Sequence, residues 1–461
     1  MKFPAFQLLI FVFCLCLLSA QAQSVDIELK TDSPGSVVRL IQFDDLLNWH
    51  GQTLFQDTAD SRGLLHLKAE VDEISPAHLA INLDRVDLVL KPGASYILEV
   101  NRELQQENLS YFDKTPPALL IKKATDEGLQ EQLETVDGLI NSFVMENFQS
   151  LFRLKKYSLL DTLKTQLDEL LGDKPLEYSK QYARYKYASI VLAVQRDGEN
   201  KVINDFFKER EVLYNNASYM TLFTEIFSDY LLGNRNLAME SLREMDRKTY
   251  PEWREYLRND PLLREDNRLS ELIVLASLKY LYRDSRFKAK QVLAYLVYLK
   301  RNALYPEHQR MAANTIEAFE FLAPGTKAAD FSLKDQNSKL FKLNDYKGTF
   351  LLLNFVDENC RACLTSLQQL SEMQTELKDI QLVTLATSES FEAYKKLFAT
   401  KKYEWPLLNL DKNILLLEAY HIKTFPEFIL LMPDTKIGMA PISQERDVLL
   451  FHINRLRGST N

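Results

Sequence analysis

The feature that most constrains this chain is a seven-residue run, Phe350–Val356, apolar throughout except at Asn354 and followed after three residues by Cys360 and Cys363. A strand without polar alternation is buried on both faces, which requires covering layers on either side of its sheet. The rest of the C-terminal third supplies them. Residues 363–377 read as a helix, 380–386 as a second buried strand, 391–398 as a second helix, and 413–420 as a third. Paired strands at 428–432 and 436–440 and a last helix over 444–456 complete the pattern. A βαβ unit followed by an antiparallel hairpin and a helix is a mixed sheet flanked by helices. Ala323-Pro324-Gly325 marks the linker at which this α/β unit begins.

At 461 residues the chain is too long for one ordinary core, so further domains must precede this one. The division read from the sequence is a signal peptide over 1–22, an antiparallel β-domain over 23–110, an all-α domain over 111–322 and the α/β domain over 323–461. The first segment has one charge, Lys2, an apolar run over 8–18, and Ser19-Ala20-Gln21-Ala22, which fits cleavage before Gln23. The run is short of the roughly 20 residues a membrane span needs, so no span is expected in the mature chain. Cys14 and Cys16 lie inside it without the small residues that precede a lipid-anchored cysteine. Export to the periplasm or cell envelope is the expectation, with secretion as the alternative. The balance of 56 Lys+Arg against 64 Asp+Glu, net charge -8, contains no dense basic run and argues against nucleic acid as a partner.

Removal of the leader leaves Cys360 and Cys363 as the last of four cysteines. A structural disulfide stabilises most when it closes a long loop, and one spanning two residues does little by that route. Redox chemistry is the better account of the pair. At the start of a helix, backbone N–H groups and the helix dipole favour a thiolate, which makes Cys360 the attacking sulfur. Cys363, one turn on, is placed behind it to resolve a mixed disulfide. Thr424-Phe425-Pro426 precedes the strand at 428–432, and a proline there leaves a backbone edge on which an extended substrate peptide could pair. Sequence leaves the cis and trans forms of Pro426 equally open.

Upstream, Val25, Ile27 and Leu29, and Leu79, Ile81 and Leu83, alternate as in strands, with turns at Pro34-Gly35, Arg62-Gly63 and Pro92-Gly93. From about Thr125 the period becomes helical. Leu159, Leu163, Leu167 and Leu170 predict one helix face, and Leu269, Leu272, Ile273 and Ala276 another. Tyr178, Tyr182 and Tyr185 form a stripe that reads as core, with a binding groove as the alternative. No pair among the six histidines has metal-ligand spacing, and no motif calls for a cofactor.

The segment from Pro324 to Arg457 resembles the TlpA-like branch of the thioredoxin superfamily, exported thiol-disulfide oxidoreductases. The resemblance is carried by Gly325-Thr326-Lys327-Ala328-Ala329-Asp330-Phe331-Ser332-Leu333, by Leu343-Asn344-Asp345-Tyr346-Lys347-Gly348, by Asn354-Phe355 ahead of the cysteines, and by Tyr420-His421-Ile422-Lys423-Thr424-Phe425-Pro426. It implies a thioredoxin fold, nucleophilic Cys360, resolving Cys363, a cis-Pro426, protein thiols and disulfides as substrates, and a redox partner protein. Residues 23–110 resemble the β-sandwich found ahead of such domains, on the strength of Asp60-Ser61-Arg62-Gly63 and Leu90-Lys91-Pro92-Gly93 followed by Tyr96.

The departures are as informative. Asn359 stands where the family usually has tryptophan, and Asp357 and Glu358 are acidic residues that disfavour a nearby thiolate, with Arg361 opposing them. Ser366 replaces the glutamate common in the family, and Gln368 its helix-kinking proline. Asn354 corresponds to the buried aspartate of thioredoxin. The leading expectation is therefore an enzyme exchanging disulfides with substrates docked near Thr424 and Phe425. The alternative is a non-catalytic or redox-sensing protein that binds a partner through its N-terminal and helical domains. A thiol peroxidase shares the fold, but needs a threonine three residues before its cysteine, where Asp357 or Cys360 stands.

Overall fold

The computed structural model describes residues 23–459 apart from 83, 102–117, 173–174, 195–197, 234–235, 283, 285, 358–359, 411–413 and 423. The proposed leader, Glu358 and Asn359 therefore lie outside the described residues.

Strands β1 (Gln23–Thr31), β2 (Val37–Asp45), β3 (His50–Thr58), β4 (Leu64–Val71), β5 (Ser75–Ile81), β6 (Asp84–Leu90), β7 (Ser95–Asn101) and β8 (Ala118–Ala124) form two four-stranded sheets, ordered β4-β1-β7-β8 and β3-β2-β5-β6. Alternate residues of both sheets, among them Val25, Ile27, Leu29, Leu40, Leu79 and Leu98, share one core. Two expectations are corrected here. The domain is not purely antiparallel, because β1 pairs with β7 in parallel. The whole second sheet lies between these two strands in the chain, a connection long enough for a parallel pairing. Strand β8 pairs with β7 and so continues the β-domain past the boundary drawn at residue 110.

The turn motifs have physical causes. A Cβ on Gly63, at φ +76°, would come within 2.0 Å of the Thr31 carbonyl oxygen, so only glycine fits where the turn crosses β1. The Tyr96 hydroxyl accepts from Lys91 N at 3.1 Å and closes the turn at Gly93.

The central region is helical from Leu129–Phe148 to Pro306–Glu320. The tyrosine stripe is core: Tyr182 and Tyr185 are buried, and the Tyr178, Tyr182 and Tyr185 hydroxyls donate to Asn215 O, Asp137 Oδ2 and Phe206 O. In helix Ser158–Leu171 the buried face runs through Leu160, Leu163 and Leu167, while Leu170 is exposed, a rotation from the face expected. Helix Arg268–Leu281 buries Leu269, Leu272, Ile273 and Ala276 as read, because the region's core closes around it. The end of β2 plugs into this domain. Phe43, Leu46 and Leu47 join the helical core, and the buried Asp45 carboxylate accepts from Leu47 N, Asn48 N and Asn314 Nδ2.

The C-terminal domain contains β9 (Ser332–Lys334), β10 (Leu340–Lys342), β11 (Phe350–Val356), β12 (Ile380–Ala386), β13 (Leu407–Asn409), β14 (Glu427–Leu431) and β15 (Ile437–Ile442). Its five-stranded sheet runs β13-β12-β11-β14-β15, with β11 central, parallel to β12 and antiparallel to β14. The two faces of β11 explain its unbroken apolar sequence. Leu352 and Val356 pack under helices Arg361–Glu372, Ser388–Lys401 and Arg446–Ser459, while Leu351, Leu353 and Phe355 meet the β9-β10 hairpin and Leu416 and Leu417. This is the thioredoxin fold. The helix after the cysteines ends at Glu372, short of the residue 377 read from the sequence.

Candidate active site

β11 delivers the chain to one end of the sheet, at the centre of the strand order, and helix Arg361–Glu372 begins just beyond it with Cys360 as its N-cap. An N-cap must offer an acceptor to the unsatisfied N–H groups of the first turn. Here the Cys360 sulfur accepts from Cys363 N at 3.0 Å. The two sulfurs are bonded to one another, with the Cα atoms 5.2 Å apart. Their surroundings differ: Cys363 is fully buried beneath the helix, and Cys360 is half-exposed. An incoming thiolate can reach Cys360 and not Cys363. Leu364, exposed in the first turn, adds an apolar surface beside the pair that the sequence did not single out.

Pro426 immediately precedes β14, and the Phe425–Pro426 peptide bond is cis. Because Glu427 pairs with Phe355 in the antiparallel register, Pro426 lies at the sheet end from which β11 leads to the cysteines. Phe425 packs against the same apolar cluster as Cys360, and Thr424 is exposed. A second cis bond, Ala440–Pro441, falls in edge strand β15 and was not anticipated.

Two glutamines missed by sequence reasoning tie these pieces together. Gln369, on the cysteine helix, donates to Gln444 O at 2.5 Å, and Gln444 donates in turn to the Pro426 carbonyl. No sequence signal marks them, since a polar residue on a helix, as Gln369 is, or in a loop, as Gln444 is, is ordinary.

The charged neighbours are disposed unequally. Asp357 is buried, with its carboxylate taking a hydrogen bond from Thr387 Oγ1 at 2.5 Å and its carbonyl one from the Tyr394 hydroxyl at 2.8 Å. Burial first, and then the charge of Asp357, push the Tyr394 pKa well above the usual tyrosine range, so it stays a neutral donor. Arg361 is exposed on the first turn. Ser366 is buried and spends its hydroxyl on Cys363 O, 2.8 Å away. Asn354 projects from the face of β11 that carries Leu352 and Val356, the face covered by Cys363; it is 1% exposed, and neither amide atom has a protein partner. Across the sheet it is paired with Thr384, which accepts from Trp405 Nε1 at 2.9 Å.

Residues 324–439 match the AhpC/TSA family model. The chain is 27% identical over 120 residues to the thiol-disulfide oxidoreductase ResA of Bacillus subtilis, a match covering 26% of this chain and 66% of that protein. It is 24% identical over 115 residues to the ResA of Bacillus thuringiensis, covering 24% of this chain and again 66% of the relative. It thus spans just under two thirds of these relatives. Among solved structures, the thioredoxin domain of a thiol-disulfide oxidoreductase from Bacteroides vulgatus is 26% identical, covering 30% of this chain and 99% of that one, with a TM-score of 0.27. The pneumococcal exposed lipoprotein thioredoxin from Streptococcus pneumoniae is 27% identical, covering 28% and 99%, with a TM-score of 0.24. The resemblance read from the motifs stands for this region: it is similar to thiol-disulfide oxidoreductases.

Proposed function

We propose that this chain is an envelope thiol-disulfide oxidoreductase that exchanges disulfides with substrate proteins through Cys360 and Cys363. The observation that carries the reading is the placement of the pair. A half-exposed sulfur at a helix start is bonded to a buried one, opposite a cis-proline at the same end of the sheet.

In the oxidising direction a substrate thiolate attacks Cys360 Sγ, forming a mixed disulfide and releasing Cys363 as a thiolate. A second substrate thiolate then attacks the substrate sulfur of that bond. The substrate leaves as a disulfide, and the cysteine pair holds two electrons and two protons. The reducing direction runs the same steps backwards, with Cys363 resolving the mixed disulfide. The helix start favours negative charge on the Cys360 sulfur as leaving group or nucleophile. The stretch at Thr424 and Phe425, just ahead of β14, is the proposed docking edge for substrate backbone. Asp357 acts against the charged sulfur and Arg361 for it. Export through the N-terminal segment would place the reaction where protein disulfides persist.

The test is a pair of single variants assayed for thiol-disulfide exchange with a disulfide-containing protein. Cys360→Ser abolishes exchange, and Cys363→Ser accumulates the mixed disulfide at Cys360. The couple should titrate reversibly between about -270 and -120 mV. Undiminished exchange by Cys360→Ser, or a pair that strong reductants leave oxidised, would overturn the enzyme reading. Partner capture that survives Cys360→Ser would instead support the binding-protein alternative.

A further inference from the structure

The helical domain carries a feature that the redox reading does not use. Helix Leu129–Phe148 and helix Ser158–Leu171 pack against each other and are joined by a short connection that includes the π-turn Gln149–Arg153. Inside this junction Phe143, Leu151 and Leu160 are buried in the domain core and fix it in place. Its outer side is apolar and in water: Met145 is 79% exposed, Leu154 64%, Phe148 51% and Tyr157 44%. The Phe148 ring meets that of Phe152 at 5.0 Å.

Interleaved with them are Arg153, Lys155 and Lys156, all exposed, against one carboxylate, Glu146, between residues 145 and 158. This is a cationic spot on a chain of net charge -8. None of the three cations forms an ion pair with a described carboxylate, and the Lys155 ammonium donates to Val194 O at 3.1 Å. Four large apolar side chains in water within thirteen residues of one helix junction are more than the single exposed residues that ordinary surfaces carry, and such a cluster marks an interaction surface.

We propose that this tip docks on the surface of an anionic phospholipid bilayer. The chemistry favours lipid as the occupant. Cations alternating with an aromatic ring, a leucine and a tyrosine match a surface that is anionic at headgroup level and apolar a few ångströms below it. Tyrosine suits that boundary, and lysine and arginine stems lie along the apolar layer while their charges reach the phosphates. Docking would hold the catalytic domain beside the membrane without any spanning segment, and it stands independently of the cysteine chemistry, which is assayed without vesicles.

The experiment is sedimentation of the purified full chain with vesicles of mixed phosphatidylglycerol and phosphatidylethanolamine, and with vesicles of phosphatidylcholine alone. Expected are binding to the anionic vesicles, weakening with salt, and loss of that binding in the Phe148→Ser/Leu154→Ser double variant. Arg153→Gln with Lys156→Gln, which spares the Lys155 hydrogen bond, should weaken it about 30-fold. Circular dichroism checks that each variant is folded. Absence of anionic-vesicle binding, or binding that both double variants retain, overturns the proposal. So does self-association abolished by Phe148→Ser/Leu154→Ser, which would make the tip a protein interface.

Discussion

Asn354 lies on the sheet face covered by Cys363, and its surroundings disfavour a charged group there. A carboxylate there would have no protein donor to satisfy it, since neither atom of the present amide finds a partner and the site is 1% exposed. Desolvation would therefore raise the pKa of an aspartate at this position in the folded chain above its unfolded value. Between those two pKa values the native state binds more protons than the unfolded state, so stability falls as pH rises. Asn354→Asp should be near the parent in stability at about pH 3, below the unfolded pKa, and some 2–4 kcal/mol less stable at about pH 8, for a shift of roughly two to three units. Urea titrations at both pH values decide it: a pH-independent difference would mean that the carboxylate finds a donor or water there.

Among elements, the junction between β11 and the cysteine helix depends on a neighbour across the sheet. Thr387 is the N-cap of helix Ser388–Lys401 but makes no side-chain cap; its hydroxyl goes to Asp357 instead, while Ser390 donates to Thr387 O. Thr387→Val keeps the shape, removes a donor from a buried carboxylate and should cost about 1–3 kcal/mol. It should also slow disulfide exchange, because Asp357 begins the segment leading to Cys360; an unchanged exchange rate with the expected stability loss would confine Asp357 to a structural role. The elements themselves were legible because β11 and β12 are buried on both faces and leave continuous apolar runs, and the cysteine spacing located their helix. Less legible was whatever depends on partners distant in sequence. The parallel pairing of β1 with β7, the strand at Ala118–Ala124, the exposure of Leu170 and the Gln369–Gln444–Pro426 chain all follow from what packs where, which local periodicity does not encode.

For the whole molecule, an electrostatic contact among the described residues joins the β-domain to the thioredoxin domain. Arg39, buried on β2, grips Glu418 with both guanidinium arms at 2.8 and 2.7 Å, and Arg85 on β6 adds a third bond at 3.3 Å. Glu418 sits in helix Ile414–Ala419, eight residues before Pro426, so the grip is on the segment that leads into the proposed substrate edge. Burial alone would raise the Glu418 pKa, but the hydrogen bond and charge of Arg39, followed by Arg85, outweigh it and hold the carboxyl below its ordinary 4.5. A depressed acid pKa contributes stability that is present above the unfolded value and lost as pH falls through the folded one. Docking of the two domains should therefore loosen below about pH 4.5, seen as faster proteolysis at the linker around Pro324, and Glu418→Gln should be loosened already at neutral pH. The loss should be about 1–3 kcal/mol, less than for a fully buried pair because Glu418 keeps part of its surface in water. Its helix packs on the sheet face opposite Cys363, so the same variant should leave the reduction potential of the cysteine pair unchanged. A potential that moved with Glu418→Gln would show that domain docking reaches the redox site itself, and a linker equally protected in parent and variant would show that Arg39 and Glu418 do not hold the domains together.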